Sequence, residues 1–290
     1  MSLPEDRALL AETQTPADLF IRPRDIAFLH DSPHPRRWLN GDPIATAFFN
    51  ALSASFPQGE RFFMDAVRPY RDTVDPKLRE QVVVFTAQEA VHSREHRLFN
   101  NTLAAQGYDL ERIDAYLKRR FDFGRKLPRL SRLCATIALE HFTAILAHAI
   151  LSDEVYLAGA PSEIKRMWQW HAIEEIEHKA VAFDTFLEVT RRFTPLRRWW
   201  MRCVSMMMIT IMFFQFIGYG VREFFRQDGI NTFRSWRALF HYLWLKPGLM
   251  RCVAPSYFAY YKPRFHPWRV DDRGLIADVE ATLMPRHAAA

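Results

Sequence analysis

Two short segments of this 290-residue chain repeat one pattern, Glu-x-x-His. Glu89 and His92 lie within Gln88-Glu89-Ala90-Val91-His92-Ser93-Arg94-Glu95-His96. Glu175 and His178 lie within His171-Ala172-Ile173-Glu174-Glu175-Ile176-Glu177-His178. On an α-helix, residues three apart share a face, so each carboxylate and imidazole can reach one ion together. A lone glutamate precedes each pair, Glu60 before Glu89 and Glu140 before Glu175. The order Glu, Glu-x-x-His, Glu, Glu-x-x-His limits the fold, because these side chains meet only where helices from distant parts of the chain converge. Glu140 ends the apolar run Leu133-Cys134-Ala135-Thr136-Ile137-Ala138-Leu139, and small or apolar residues flank both motifs. Carboxylates buried in such surroundings without a cation cost on the order of several kcal/mol each. Two divalent ions would compensate them.

One Glu from each of two helices plus Glu-x-x-His from each of two others is the ligand set of dinuclear iron or manganese helical bundles. The expected ligands are Glu60, Glu89, His92, Glu140, Glu175 and His178, which are also the expected catalytic set. His96 and His171 share the motif faces. They are expected either as further ligands or as donors that orient the carboxylates. Glu95 points away from the Glu89 face and is not expected to ligate, and Glu174 and Glu177 flank the second face and are expected to be solvated or salt-bridged. His141 and His148 do not share the Glu140 face. Thr143 is expected to bond a carbonyl of its own helix. Carboxylate and imidazole donors without cysteine suit iron or manganese.

The rest of the sequence supports an all-α fold. The chain is 49% hydrophobic with only ten glycines, and apolar residues recur at three- and four-residue spacing. Residues 1–41, rich in Pro and Arg, read as an irregular arm. A four-helix unit spans 42–192, with Pro57 breaking or kinking the first helix before Glu60. The next helices are expected over 76–106, 129–152 and 161–192. Residues 193–290 supply further helices and a tail packed on that unit, with an extended strap after Lys262 and a short helix near 273–283, giving one domain overall. From Cys203 to Val221 the chain carries no formal charge. At about 1.5 Å per residue this nearly reaches a bilayer core. Ser205, Thr210 and Gln215 interrupt it, so it is expected to pack on the bundle or a twofold partner in a homodimer. Membrane-surface contact through Arg197, Arg198, Arg202 and Arg222 is the lesser reading. Cys134, Cys203 and Cys252 form no metal-spaced cluster or disulfide framework, and the N-terminus lacks an apolar signal core, so a reducing, cytoplasmic setting is expected. The net charge of +6 comes mostly from arginine. Without a zinc finger, RNP-like motif or basic repeat, it favours an acidic protein partner over nucleic acid.

Several stretches resemble a bacterial family of predicted metal-dependent hydrolases: Leu52-Ser53-Ala54-Ser55-Phe56-Pro57-Gln58-Gly59-Glu60-Arg61-Phe62-Phe63, both motif segments, Ala182-Phe183-Asp184 and Phe265-His266-Pro267-Trp268. The resemblance covers roughly residues 20–270. It implies a fold similar to ferritin-like di-iron proteins, with additional C-terminal helices. It also implies oxygen chemistry, that of a non-haem di-iron monooxygenase or oxidase. Two iron ions, with manganese as the alternative, would activate O2 against an apolar small-molecule substrate. An electron donor such as a ferredoxin would then be needed. A substrate pocket of Phe62, Phe63, Met64 and residues 203–217 is expected on that reading. The alternative is dinuclear metal-dependent hydrolysis of esters or phosphoesters. Metal storage is a third class, for which the long C-terminal extension has no rationale.

Overall fold

The computed structural model describes residues 15–28 and 34–283 and contains helices and no strands among them. Ten α-helices follow in order: α1 (Pro43–Val67), α2 (Pro76–Ala105), α3 (Glu111–Arg125), α4 (Arg129–Ser152), α5 (Ser162–His178), α6 (Val181–Val189), α7 (Pro195–Gln227), α8 (Phe233–Trp244), α9 (Leu249–Ala259) and α10 (Arg273–Leu283). Their starts are written in the sequence. Asp42, Asp75 and Thr194 accept backbone N–H groups of α1, α2 and α7, and each is followed by a proline at the first helical position. Helices α1, α2, α4 and α5 close a ring of contacts, α1 on α2, α4 on α5, α1 on α4 and α2 on α5. The inner face of that ring holds the expected ligands.

Three expectations are corrected. Pro57 does not interrupt α1, which runs through it. Its missing N–H leaves the Ser53 carbonyl without a helical partner, and Asn100 Nδ2 of α2 donates to that carbonyl at 3.1 Å. The helix expected over 161–192 divides into α5 and α6 immediately after His178. No Gly or Pro marks the break. Instead Lys179 is drawn aside to Asp272, to the Val270 carbonyl and over the Trp268 ring. Helix α3 was not expected at all. It buries Ile113, Leu117 and Phe121, and packs on α1 and α7.

Helices α4 and α7 are both long and apolar enough to cross a membrane by length and composition. Within its most apolar window α4 is 89% buried, as a central helix is, whereas that of α7 is 39% buried. Helix α7 packs one face on α1 and α4, approaching so closely that a Cβ at Gly220 would lie 2.8 Å from Ala51 Cβ. Its other face leaves Trp200, Met207, Met208 and Ile211 exposed. The arm is described only over 15–28 and 34–41. There it is irregular, buries Ile21, Arg24, Phe28 and Trp38, and places Arg24 against α5. The remainder of the expected arm lies outside the described residues. The helix over 273–283 forms as expected, but the strap expected to be extended turns through a 3-10 helix at Pro267–Arg269, and His266 at its start bonds Asp184 of α6 at 2.9 Å. All three cysteines are free thiols.

Candidate metal centre

Glu60 comes from α1, Glu89 and His92 from α2, Glu140 from α4, and Glu175 and His178 from α5. All six are 2% exposed or less. Their donor atoms form overlapping triads in which every atom lies within 4.8 Å of the others: Glu60, His92 and His171; Glu89, His92 and Glu175; Glu89, Glu140 and His178. Glu89 occurs in two triads and faces His178 Nε2 at 3.3 Å. Reciprocally, Glu175 faces His92 Nδ1 at 3.4 Å. The two halves therefore cross, each motif's carboxylate approaching the other motif's histidine.

The unpaired atoms test whether ions fit. Both carboxylate oxygens of Glu60, Glu89 and Glu140, Glu175 Oε2, His92 Nδ1 and His178 Nε2 are buried with no hydrogen-bond partner among the described residues. Buried polar atoms are normally satisfied, and these converge on one point with the donor types iron, manganese or zinc accept. The donor set fits a metal ion; Glu60 and His92 share one triad, Glu140 and His178 another, and Glu89 and Glu175 meet His92 in the third.

The charge state follows from burial. Desolvation holds the carboxyls of Glu60, Glu89 and Glu140 well above the usual range, and for Glu89 the neighbouring glutamates Glu175, Glu140 and Glu60 add to it. Glu175 is the exception. Burial would raise it too, but the hydrogen bond from His171 and the nearby His178 and His92 imidazoles hold it well below. Burial would lower His92, yet its hydrogen bond to Glu174 and the adjacent Glu175 carboxylate push it up to about 10. His171 is lowered to about 4 by burial and by the nearby His92.

The nitrogens turned away from the centre are all held. His92 Nε2 donates to Glu174 Oε2 at 3.0 Å, and His178 Nδ1 donates to Gln88 Oε1 at 3.0 Å. Glu174 also accepts from the Arg24 backbone N–H and from Trp170 Nε1. Gln88 Nε2 donates to Glu177. Arg24 joins the two branches, its guanidinium lying 2.6 Å from Glu177 and 3.4 Å from Glu174. Glu95, Glu174 and Glu177 are thus buried. For Glu174 and Glu177 the solvated option is overturned and the salt-bridged one stands, through Arg24, while Glu95 pairs with Arg94.

His96 is in none of the triads and His171 is in one. His171 Nε2 donates to Glu175 Oε1 at 3.0 Å, its Nδ1 meets His96 Nε2 at 2.6 Å, and His96 Nδ1 meets the Ser53 hydroxyl at 2.9 Å. The chain continues through Ser53 to Asn100. His92 and His171 stack with ring centroids 4.2 Å apart, and Phe85 packs edge-on to His178. Thr143 bonds the Glu140 carbonyl in its own helix, His141 reaches the Ser256 carbonyl and His148 reaches Asp272, all away from the centre. Arg24, Gln88 and Ser53 were not singled out from sequence. Gln88 sits one residue before Glu89 and was within reach of a helical-face argument. Arg24 carried no local signal.

Of the residues expected to line a substrate pocket, Met64 lines the large cavity beside α1; Phe62 and Phe63 are buried in the core, and none of 203–217 lines that cavity. That cavity, about 880 Å³, is a polar groove between α1 and α2, with Pro57 and Ser93 on the Glu60 side.

Helices alone, and a buried cluster of carboxylates and imidazoles with unpaired donors, define a helical protein with a candidate metal centre. The chain matches the family described as "predicted metal-dependent hydrolase" over residues 22–271, and it belongs to that family. Comparison with curated proteins gives no match, and comparison with solved structures gives none.

Proposed function

We propose that this protein is a dinuclear metal-dependent hydrolase of esters or phosphoesters. On this reading α1, α2, α4 and α5 are a ferritin-like four-helix bundle, and the six converging residues hold two divalent ions. The observation that carries it is the set of unpaired buried donors on Glu60, Glu89, His92, Glu140, Glu175 and His178. The family's description and the polar groove beside Glu60 favour hydrolysis. When bound, such ions supply an acidified water and polarise a carbonyl or phosphoryl oxygen.

The protein's own groups do the rest. Glu174 and Gln88 fix the tautomers of His92 and His178, so that Nδ1 of one and Nε2 of the other face the centre. Glu175, ionised by its histidine neighbours, gives His171 a reason to carry its proton on Nε2. His171 Nδ1 then accepts from His96 Nε2, and Ser53 lies between His96 and Asn100, which lines the groove. Phe28 packs at a tilt on Trp170, whose ring meets His92 edge-on, and the two keep water from that flank.

The second reading is oxygenase chemistry with iron, O2 and a ferredoxin-type donor. The donor order along the chain supports it. One experiment separates the two. The manganese- or zinc-loaded protein is assayed without oxygen on p-nitrophenyl acetate and bis-p-nitrophenyl phosphate, and the ferrous protein is assayed for O2 uptake with a chemical reductant. Hydrolysis without oxygen is expected. Absent hydrolysis together with O2 consumption by the ferrous form would replace it by the oxygenase.

A further inference from the structure

We infer that the groove between α1 and α2 is the substrate site of this centre, and that it takes a small molecule carrying an anionic group, a carboxylate or a phosphate. The link to the centre rests on the hydrolase reading above; the recognition of an anion does not.

The groove's position comes first. Asn100 reaches the Ser53 carbonyl and the Ser93 hydroxyl reaches the Pro57 carbonyl at 3.4 Å, so α1 and α2 lie antiparallel, with Pro57 beside Ser93. Both residues line the groove. Glu60 follows one turn after Pro57, and His92 precedes Ser93. Pro57, Arg61 and Ser93 line the groove, so it runs along the segments of α1 and α2 that carry Glu60 and His92.

Charge comes second. Arg61, Arg68 and Arg97 line the groove, and none makes an ion pair among the described residues. Arg97 donates only to Ser93, at 3.5 Å to its carbonyl and hydroxyl, and Arg68 reaches only the Met64 sulfur. The groove's acids are committed elsewhere. Asp65 pairs with Arg125, Asp109 accepts the Glu111 N–H, and Glu111 and Asp114 sit in the first turn of α3, where a helix N-terminus favours negative charge. Free guanidiniums in a recess bind carboxylate or phosphate oxygens through paired N–H donors, and the recess concentrates their field. Arg61, adjacent to Glu60, and Arg97, one turn from Ser93, can hold an anion while its neighbouring ester bond reaches the centre.

Isothermal calorimetry on the metal-loaded protein tests this without turnover, using benzoate and the non-hydrolysable phenylphosphonate as probes and benzamide as their neutral counterpart. Both anions are expected to bind, with benzamide at least tenfold weaker. Arg97→Gln and Arg61→Gln should each weaken the anions at least tenfold, at unchanged metal content and melting temperature. Arg112→Gln, outside the groove, should not. The preferred anion separates a carboxylate substrate from a phosphate one. Benzamide binding as tightly as benzoate, or anion affinities indifferent to Arg61 and Arg97, overturns the proposal even if ester hydrolysis is found. Arginine-dependent anion binding in a protein without hydrolase activity upholds the groove and removes the hydrolase.

Discussion

His92 and His178 occupy the same sequence context, each three residues after a glutamate, yet the fold supports them differently. His92 is backed by a carboxylate, Glu174, and turns Nδ1 to the centre. His178 is backed by an amide, Gln88, and turns Nε2. The His92 half lies beside the groove and stacks on His171, whereas Phe85 packs against the His178 half, at the break between α5 and α6. A duplicated motif thus yields two unequal settings. An imidazole backed by a carboxylate is a stronger donor than one backed by an amide, and here it is the one nearer the groove.

The comparison fails first if the halves are not joined. Glu89 belongs to triads on both sides, so Glu89→Ala should leave at most one ion per chain by elemental analysis. Two retained ions would remove Glu89 from the centre. Next is Arg24→Met, which leaves Glu174 and Glu177 buried without their cation. Breaking a buried ion pair costs about 3–5 kcal/mol, so the melting temperature should fall markedly and both seats should weaken together. An unchanged melting temperature, or a loss at one seat alone, would show that Arg24 does not tie the halves. Glu174→Gln should lower affinity at the His92 seat by roughly 10–100-fold, the usual effect of removing a ligand's hydrogen-bond partner. Gln88→Ala should cost the His178 seat less. Equal losses, read by metal titration, would erase the asymmetry.

Protonation sharpens it further. Glu60, Glu89 and Glu140 hold their protons more tightly folded than unfolded, through burial. The metal-free protein should therefore lose stability as pH rises above the ordinary carboxylate range, while ions replace those protons in the loaded form. The gap in melting temperature between loaded and stripped protein should widen from pH 5 to pH 8. A constant gap would mean the carboxyls are ionised without metal. The smallest effect is expected for His96→Asn, which should retain both ions, because His96 touches His171 and Ser53 and lies in none of the triads. Loss of an ion there would make His96 a ligand.

The convergence of the six donors was legible because helical spacing and chain order are local properties. What holds them was not. Arg24 reaches Glu174 and Glu177 across most of the chain, and nothing around it marks a buried cation. Glu174 and Glu177 read as flanking charges because periodicity assigns a face but not what covers it. The break after His178 had no proline or glycine to announce it, being drawn open by Lys179 and Asp272. Helix α3 hid behind Lys118, Arg119 and Arg120, although Ile113, Leu117 and Phe121, four residues apart, carried the stripe that would have found it.

Arg22 and Arg24 both reach Glu280 of α10, while Arg24 also grips α5. The earliest and latest described segments therefore fasten over the same helix. Arg24 precedes α5 by about 140 residues in the chain, and Glu280 follows it by about 100. A fragment that stops at His178 would carry all four ligand helices but not Glu280, so Arg24 would hold Glu174 and Glu177 without its own anchor on α10.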